Sequence, residues 1–216
     1  MPFVVIRHGE TEWSHTHRHT GRTDLPLTPL GEAQVRQLRR RLALLRMPFT
    51  QVWTSPLRRA NDTCALAGFA DVGRVEPNLR EWDCGDYEGL TLEEIRARQP
   101  GWNLYRDGCP GGESPEQIGE RADAVISKLR QADGPVALFS HGHFLCALAA
   151  RWIGLTVTDG GRFRLDTAAI GILDVEHHTL DEPSIAAWNV GDQFSDTPRG
   201  EVAMARRRSD RLRLAS

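Results

Sequence analysis

Three short apolar runs, each followed by an amphipathic stretch, frame this chain. Phe3-Val4-Val5-Ile6 is apolar at consecutive positions, the pattern of a strand covered on both faces. Pro135-Val136-Ala137-Leu138-Phe139 repeats it, and Val52-Trp53-Thr54 is a shorter version. After the first run, Val35, Leu38, Leu42 and Leu45 recur at helical spacing behind Thr28-Pro29, an N-cap with proline at the first helical position. Ser55-Pro56 repeats that signal and predicts a helix through Arg58, Ala60, Cys64 and Leu66. Thr91-Leu92-Glu93-Glu94 and Ser114-Pro115-Glu116-Gln117 read as capping boxes. The second leads a helix with Ile118, Ala122, Val125 and Leu129 on one face. Residues 144–153 are again helical, and residues 163–175 and 184–188 read as later strands joined by a turn at 179–182. Strands and helices alternate, so the expected fold is α/β: a three-layer, open, mostly parallel sheet with helices on both faces.

A length of 216 residues fits one domain, expected over residues 1–191. A stretch at about 82–113, rich in Gly, Asp, Trp and Tyr, reads as a lid-like insertion. From 192 the pattern stops, and residues 192–216 are expected to be a basic, disordered tail. Charge sharpens this division. The net charge of −2 averages +4 over residues 197–216, with six arginines against Glu201 and Asp210, and −6 over the other 196 residues. An acidic body argues against nucleic acid as partner. No apolar run approaches a membrane span, and the first strand has no basic region ahead of it, so it is not a signal peptide. Cys64, Cys84, Cys109 and Cys146 are irregularly spaced and read as free thiols in a reducing cytoplasm.

The chemistry gathers at two matching places. Ile6-Arg7-His8-Gly9 and Phe139-Ser140-His141-Gly142 each put a His-Gly pair directly after a buried strand. Ligands bind at the carboxyl ends of strands in open α/β sheets, so the two histidines converge if their strands are neighbours. A glycine after each allows a sharp turn and close backbone approach. Arg58, in the expected first turn of a helix following a strand, joins Arg7 as a candidate anion ligand. Taken singly, each feature has a plainer structural explanation; together they point to an anion site.

With these residues in view, the chain resembles the histidine phosphatase (phosphoglycerate mutase-like) superfamily. Arg7-His8-Gly9-Glu10-Thr11 matches its signature. Ser55-Pro56-Leu57-Arg58-Arg59-Ala60, Leu79-Arg80-Glu81-Trp82 and the second His-Gly follow in the family's order. The segments 20–28, 81–90 and 102–109 are similar to the sedoheptulose-bisphosphatase type. The resemblance implies a phosphoglycerate mutase-like fold and a metal-independent phosphatase that needs no cofactor and hydrolyses small phosphomonoesters, sugar phosphates first among them, through a phosphohistidine. It makes His8 the nucleophile, surrounds the phosphoryl oxygens with Arg7, Arg58 and His141, and makes Glu81 the general acid. That last role needs a protonated carboxyl, which apolar Trp82 would favour. Thr11, Ser14, Arg18, Thr20, Gly21 and Gly142 are the candidate substrate-binding residues.

Departures from the family pattern bear on the substrate. Ser14 stands where the mutases carry Asn, and the stretch after Glu81 is short and holds few basic residues, so phosphatase is preferred to mutase. Cys146 stands where the bisphosphatase type has Arg, which favours a broader phosphatase. A non-catalytic binding protein with this fold is the remaining alternative. His15, His17 and His19, with His143 two positions after His141, have a spacing that admits a metal, yet a polar rim is the preferred reading and no metal site is assigned. Trp102 and Tyr105 are read as core or lid wall, and His177-His178 as solvent-facing. The expected partner is a small phosphomonoester, with no membrane and with homodimer formation left open.

Overall fold

The computed structural model describes residues 2–179 and 181–191. Among the described residues six strands, β1 (Phe3–Arg7), β2 (Gln51–Thr54), β3 (Gly73–Val75), β4 (Val136–Ser140), β5 (Ile170–Val175) and β6 (Pro183–Val190), make one sheet of order β3-β2-β4-β1-β5-β6. The first four run parallel, and β5 and β6 close one side as an antiparallel pair. Seven α-helices among the described residues accompany them: α1 (Glu12–His15), α2 (Pro29–Leu44), α3 (Arg58–Cys64), α4 (Leu92–Arg98), α5 (Leu104–Asp107), α6 (Pro115–Arg130) and α7 (Gly142–Trp152). The architecture is therefore α/β and mostly parallel, as the alternation of elements predicts.

Side chains of a strand alternate between faces, and the continuous apolar runs use both. Phe3, Val5, Val136 and Leu138 pack with Ile118, Ala122, Val125 and Leu129 of α6 and with α7. Val4, Ile6, Ala137 and Phe139 pack with Val35, Leu38 and Leu42 of α2 and with Cys64 of α3. These two cores make the three layers. The capping signals hold in detail: Thr28 Oγ1 accepts from the Gly31 N–H at 3.0 Å, and the boxes at Thr91/Glu94 and Ser114/Gln117 are reciprocal. The stretch 82–113 is not detached from the body. Trp82, Tyr87, Trp102 and Tyr105 are buried in the same core as α6 and α7.

Three expectations shift. The helix expected to start at Ser55-Pro56 starts at Arg58, with Leu57 as N-cap, because the Ser55 hydroxyl is used otherwise: it accepts from the Leu57 N–H at 3.2 Å and lies 2.8 Å from His141 Nε2. The strand expected from 163 begins at Ile170. The residues before it bend to meet β1, with Ala168 at φ 55°, its N–H donating to the His8 carbonyl and the Arg7 N–H donating to Ala169. The three-residue edge strand β3 carries no apolar alternation and was not predicted. The expected tail, 192–216, lies outside the described residues.

Candidate active site

Pairing of β1 with β4 sets Arg7 opposite Ser140, so the residues that follow, His8 and His141, sit side by side with ring centroids 5.2 Å apart. Both are buried. His8 Nδ1 lies 2.7 Å from the Gly9 carbonyl. A carbonyl only accepts, so Nδ1–H donates to it and the lone pair is left on Nε2. Burial, then the Arg59 and Arg7 guanidinium groups, outweigh the Gly9 carbonyl and Glu81 and hold His8 well below the ordinary imidazole value. The neutral ring is the nucleophilic form.

His141 is fixed in the complementary tautomer. The Arg59 Nε–H donates to its Nδ1 at 3.1 Å, leaving the proton on Nε2, which donates to Ser55 Oγ at 2.8 Å. Burial first, then Arg59, keeps this ring neutral as well.

Arg59, not Arg58, is the arginine that reaches the histidines. Arg59 is almost wholly buried and donates to the carbonyls of Thr20, Gly21 and Thr23. Arg58 lies on the surface with its Nε 3.2 Å from Asp62 and its side chain 60% exposed. Both stand in the first turn of α3, and one residue along a helix turns a side chain by about 100°, so only one of the two can face the histidines. Arg7 Nη1 donates to the Leu165 carbonyl at 2.6 Å, while its Nε is buried and has no hydrogen-bond partner. A buried donor calls for a partner, and an anion bound beside His8 would supply one. A Cβ on Gly142 would stand 3.2 Å from the Arg7 guanidinium carbon, so glycine there lets the arginine pass.

Glu81 is buried beside these groups. Its Oε1 accepts from the N–H groups of Trp82 and Phe144, both at 2.9 Å, and Oε2 accepts from the His143 N–H at 3.2 Å. Two of these donors are free N–H groups of the first turn of α7. Burial alone would push the carboxyl up, but the His143 imidazole, the His141 ring and the Trp82 N–H outweigh it and hold Glu81 well below the usual range. The expected effect of Trp82 is thus overridden, and the carboxyl rests ionised. Beneath it, buried Arg121 donates to the carbonyls of Asn78, Arg80 and Glu81 and forks onto both oxygens of Glu113.

The remaining candidates divide. Thr11 and Ser14 cap each other around α1. Thr20 and Gly21 enter the site through their carbonyls on Arg59. Arg18 is drawn to the Gly89 carbonyl and Glu94, away from the histidines. His15 pairs with Glu10 and His17 is exposed, whereas His19 stacks on His143; the three do not converge. Among the described residues no group of three His, Cys, Asp or Glu side chains comes together to hold a metal. Arg59, Ser55 and Arg121 are not among the site residues the sequence predicts, and His143 enters there only with the polar rim. Arg59 and Ser55 stand inside a motif already singled out, whereas nothing local marks Arg121.

Neighbouring strand-end histidines, two arginines and a buried carboxylate at the carboxyl edge of an open α/β sheet define a phosphate-handling enzyme. The chain belongs to the histidine phosphatase superfamily (branch 1), whose family model matches residues 3–191, and it is a phosphoric monoester hydrolase. It is 42% identical over 176 residues to an acid phosphatase of Mycobacterium tuberculosis, covering 81% of this chain and 86% of that protein. It is 33% identical to sedoheptulose 1,7-bisphosphatase of Saccharomyces cerevisiae, covering 84% and 90%. Among solved structures, the product of a Mycobacterium tuberculosis open reading frame superposes with a TM-score of 0.84 at 39% identity, covering 88% of this chain and 97% of that one. A mycobacterial glucosyl-3-phosphoglycerate phosphatase superposes at 0.76 with 28% identity, covering 88% and 99%.

Proposed function

We propose that the enzyme hydrolyses the monophosphate esters of small sugars or sugar-like metabolites. The observation that carries the reading is the His8 Nε2 lone pair, fixed by the Gly9 carbonyl, beside the unpartnered Nε of Arg7. His8 Nε2 attacks phosphorus and the ester P–O bond breaks. Arg7 and Arg59 stabilise the charge on the phosphoryl oxygens, and His141 joins them by turning its Nε2–H from Ser55 Oγ to the bound group. Glu81 hands a proton to the leaving alkoxide, then takes one from the water that cleaves the phosphohistidine and frees His8.

A single phosphate is favoured over two. At position 146 a buried thiol, pushed up to about 12 by burial, points to the Phe163 carbonyl at 3.6 Å and offers no cation to a distal phosphate. Mutase activity is disfavoured because two arginines of the insertion are occupied: Arg96 on the Trp102 carbonyl and Arg106 on Asp107. Residues 1–191 are the working unit, with 82–113 walling the site. Four free, buried thiols support a reducing, cytoplasmic setting, and among the described residues no helix is long and apolar enough to cross a membrane.

The test is phosphate release from a panel of sugar mono- and bisphosphates, ranked by kcat/KM, alongside p-nitrophenyl phosphate in excess chelator. Monophosphates should lead, and His8→Ala should abolish release. A clear preference for bisphosphates, or transfer between positions without free phosphate, would overturn this reading.

A further inference from the structure

The site poses a question about its own proton. Glu81 is fastened by three backbone N–H groups, an arrangement that favours the carboxylate, yet a leaving alkoxide needs a proton. One side-chain nitrogen faces the remaining lone pair of Oε2: His143 Nδ1, at 3.6 Å. That nitrogen is buried and has no hydrogen-bond partner, and an approach of roughly half an ångström would make the contact a hydrogen bond.

The ring is held in place by its neighbours. His143 lies parallel to His19, with centroids 5.7 Å apart and planes at 6°, and meets the edge of Tyr105 at 6.0 Å. His19 is itself locked by donating Nδ1–H to the Leu90 carbonyl at 3.0 Å and by the edge of Trp102 at 5.3 Å. The titratable groups facing His143 are therefore Glu81 from the segment before Trp82, His19 from the loop after α1 and Tyr105 from α5. Burial and His143 keep His19 neutral, and burial keeps Tyr105 a phenol. His143, by contrast, keeps 37% of its side chain exposed and can exchange protons with water.

Resting on the role of Glu81 proposed above, we propose that His143 is the proton reservoir for Glu81. In the resting pair the proton sits on His143 Nδ1 and Glu81 is a carboxylate. As the ester P–O bond breaks, the proton crosses from Nδ1 to Oε2 and a carboxyl proton passes to the alkoxide, leaving alcohol and neutral His143. When water attacks the phosphohistidine, Glu81 takes its proton, the P–N bond breaks, and the proton returns to His143. One proton leaves with the alcohol and one arrives from water, so the pair ends as it began.

The experiment compares two leaving groups in wild type, Glu81→Gln and His143→Gln. p-Nitrophenolate leaves with little protonic help, whereas the alkoxide of ethyl phosphate needs it. His143→Gln should lose kcat/KM on ethyl phosphate by about tenfold more than on p-nitrophenyl phosphate, a fraction of the range general acids supply. Added imidazole should restore part of that loss in His143→Ala. Equal losses on both substrates, or no loss on either, would show a merely structural side chain and overturn the proposal. If Glu81→Gln shows the leaving-group bias and His143→Gln does not, the reservoir alone falls. If neither shows it, the acid role of Glu81 falls with it.

Discussion

At the scale of single residues, the adjacent arginines give the sharpest contrast. Arg59 is buried between His141 and three carbonyls, while Arg58 faces water beside Asp62. Arg59→Ala should therefore lower kcat/KM by at least about a hundredfold, the scale of removing one preorganised donor. Arg58→Ala should stay within about threefold, since exposed ion pairs contribute little. Equal losses would return Arg58 to the site. The two histidines predict opposing effects of acid. Both have values held well below the ordinary 6.5, so the reactive neutral form of His8 persists below that pH, and the acid limb of kcat/KM should lie below 6.5. Stability runs the other way. Below 6.5 the unfolded chain binds protons that the buried rings refuse, so the stability these rings contribute above that pH is lost as pH falls. Tm should decline below pH 6.5 while activity is still high; a Tm that rises toward acid would contradict the burial argument.

At the scale of elements, the loop after His8 is seated on the first turn of α2. A Cβ on Gly31 would collide with the Glu10 carbonyl, and one on Gly9 would stand 2.7 Å from the Gly31 carbonyl. Both contacts are backbone and cannot yield by rotating a side chain. Gly31→Ala should push α2 and the loop apart, with kcat reduced about tenfold or more, on the rule that a shift of an ångström far from the chemistry is costly. An unaltered kcat would show that the loop yields freely. The elements themselves were largely legible in the sequence, because caps and two-faced apolar runs are local signals. Thr28, Thr91 and Ser114 announce their helices within three residues. What escaped depends on partners distant in the chain. Ser55 resembles an N-cap until His141 claims its hydroxyl, and α3 starts two residues later, at Arg58. Residues 163–169 have the composition of a strand, but Arg7 and His8 draw their backbone groups into the site. The ionisation of Glu81 escaped because its donors lie in α7, some sixty residues on.

At the scale of the whole molecule, the family match stops at 191, directly after β6 closes the sheet. A chain ending at Gly191 should keep kcat/KM on p-nitrophenyl phosphate within about twofold, since catalytic power resides in groups that touch the reacting atoms. A larger loss would give residues 192–216 a part in the reaction. The clamp on β1 has a further consequence, in time rather than space. His8 is made long before its partners, for its backbone is held by Ser140 on one side and by Ala168 on the other. The nucleophile lacks its neighbour until His141 has been made, and its seat until Ala168 has. Contacts so distant in sequence form slowly, so on refolding from denaturant, catalysis should return only with the last tertiary phase. A nascent chain released short of Ala168 carries the reactive histidine in an inert form, and the cell is spared a half-built enzyme that attacks phosphate esters.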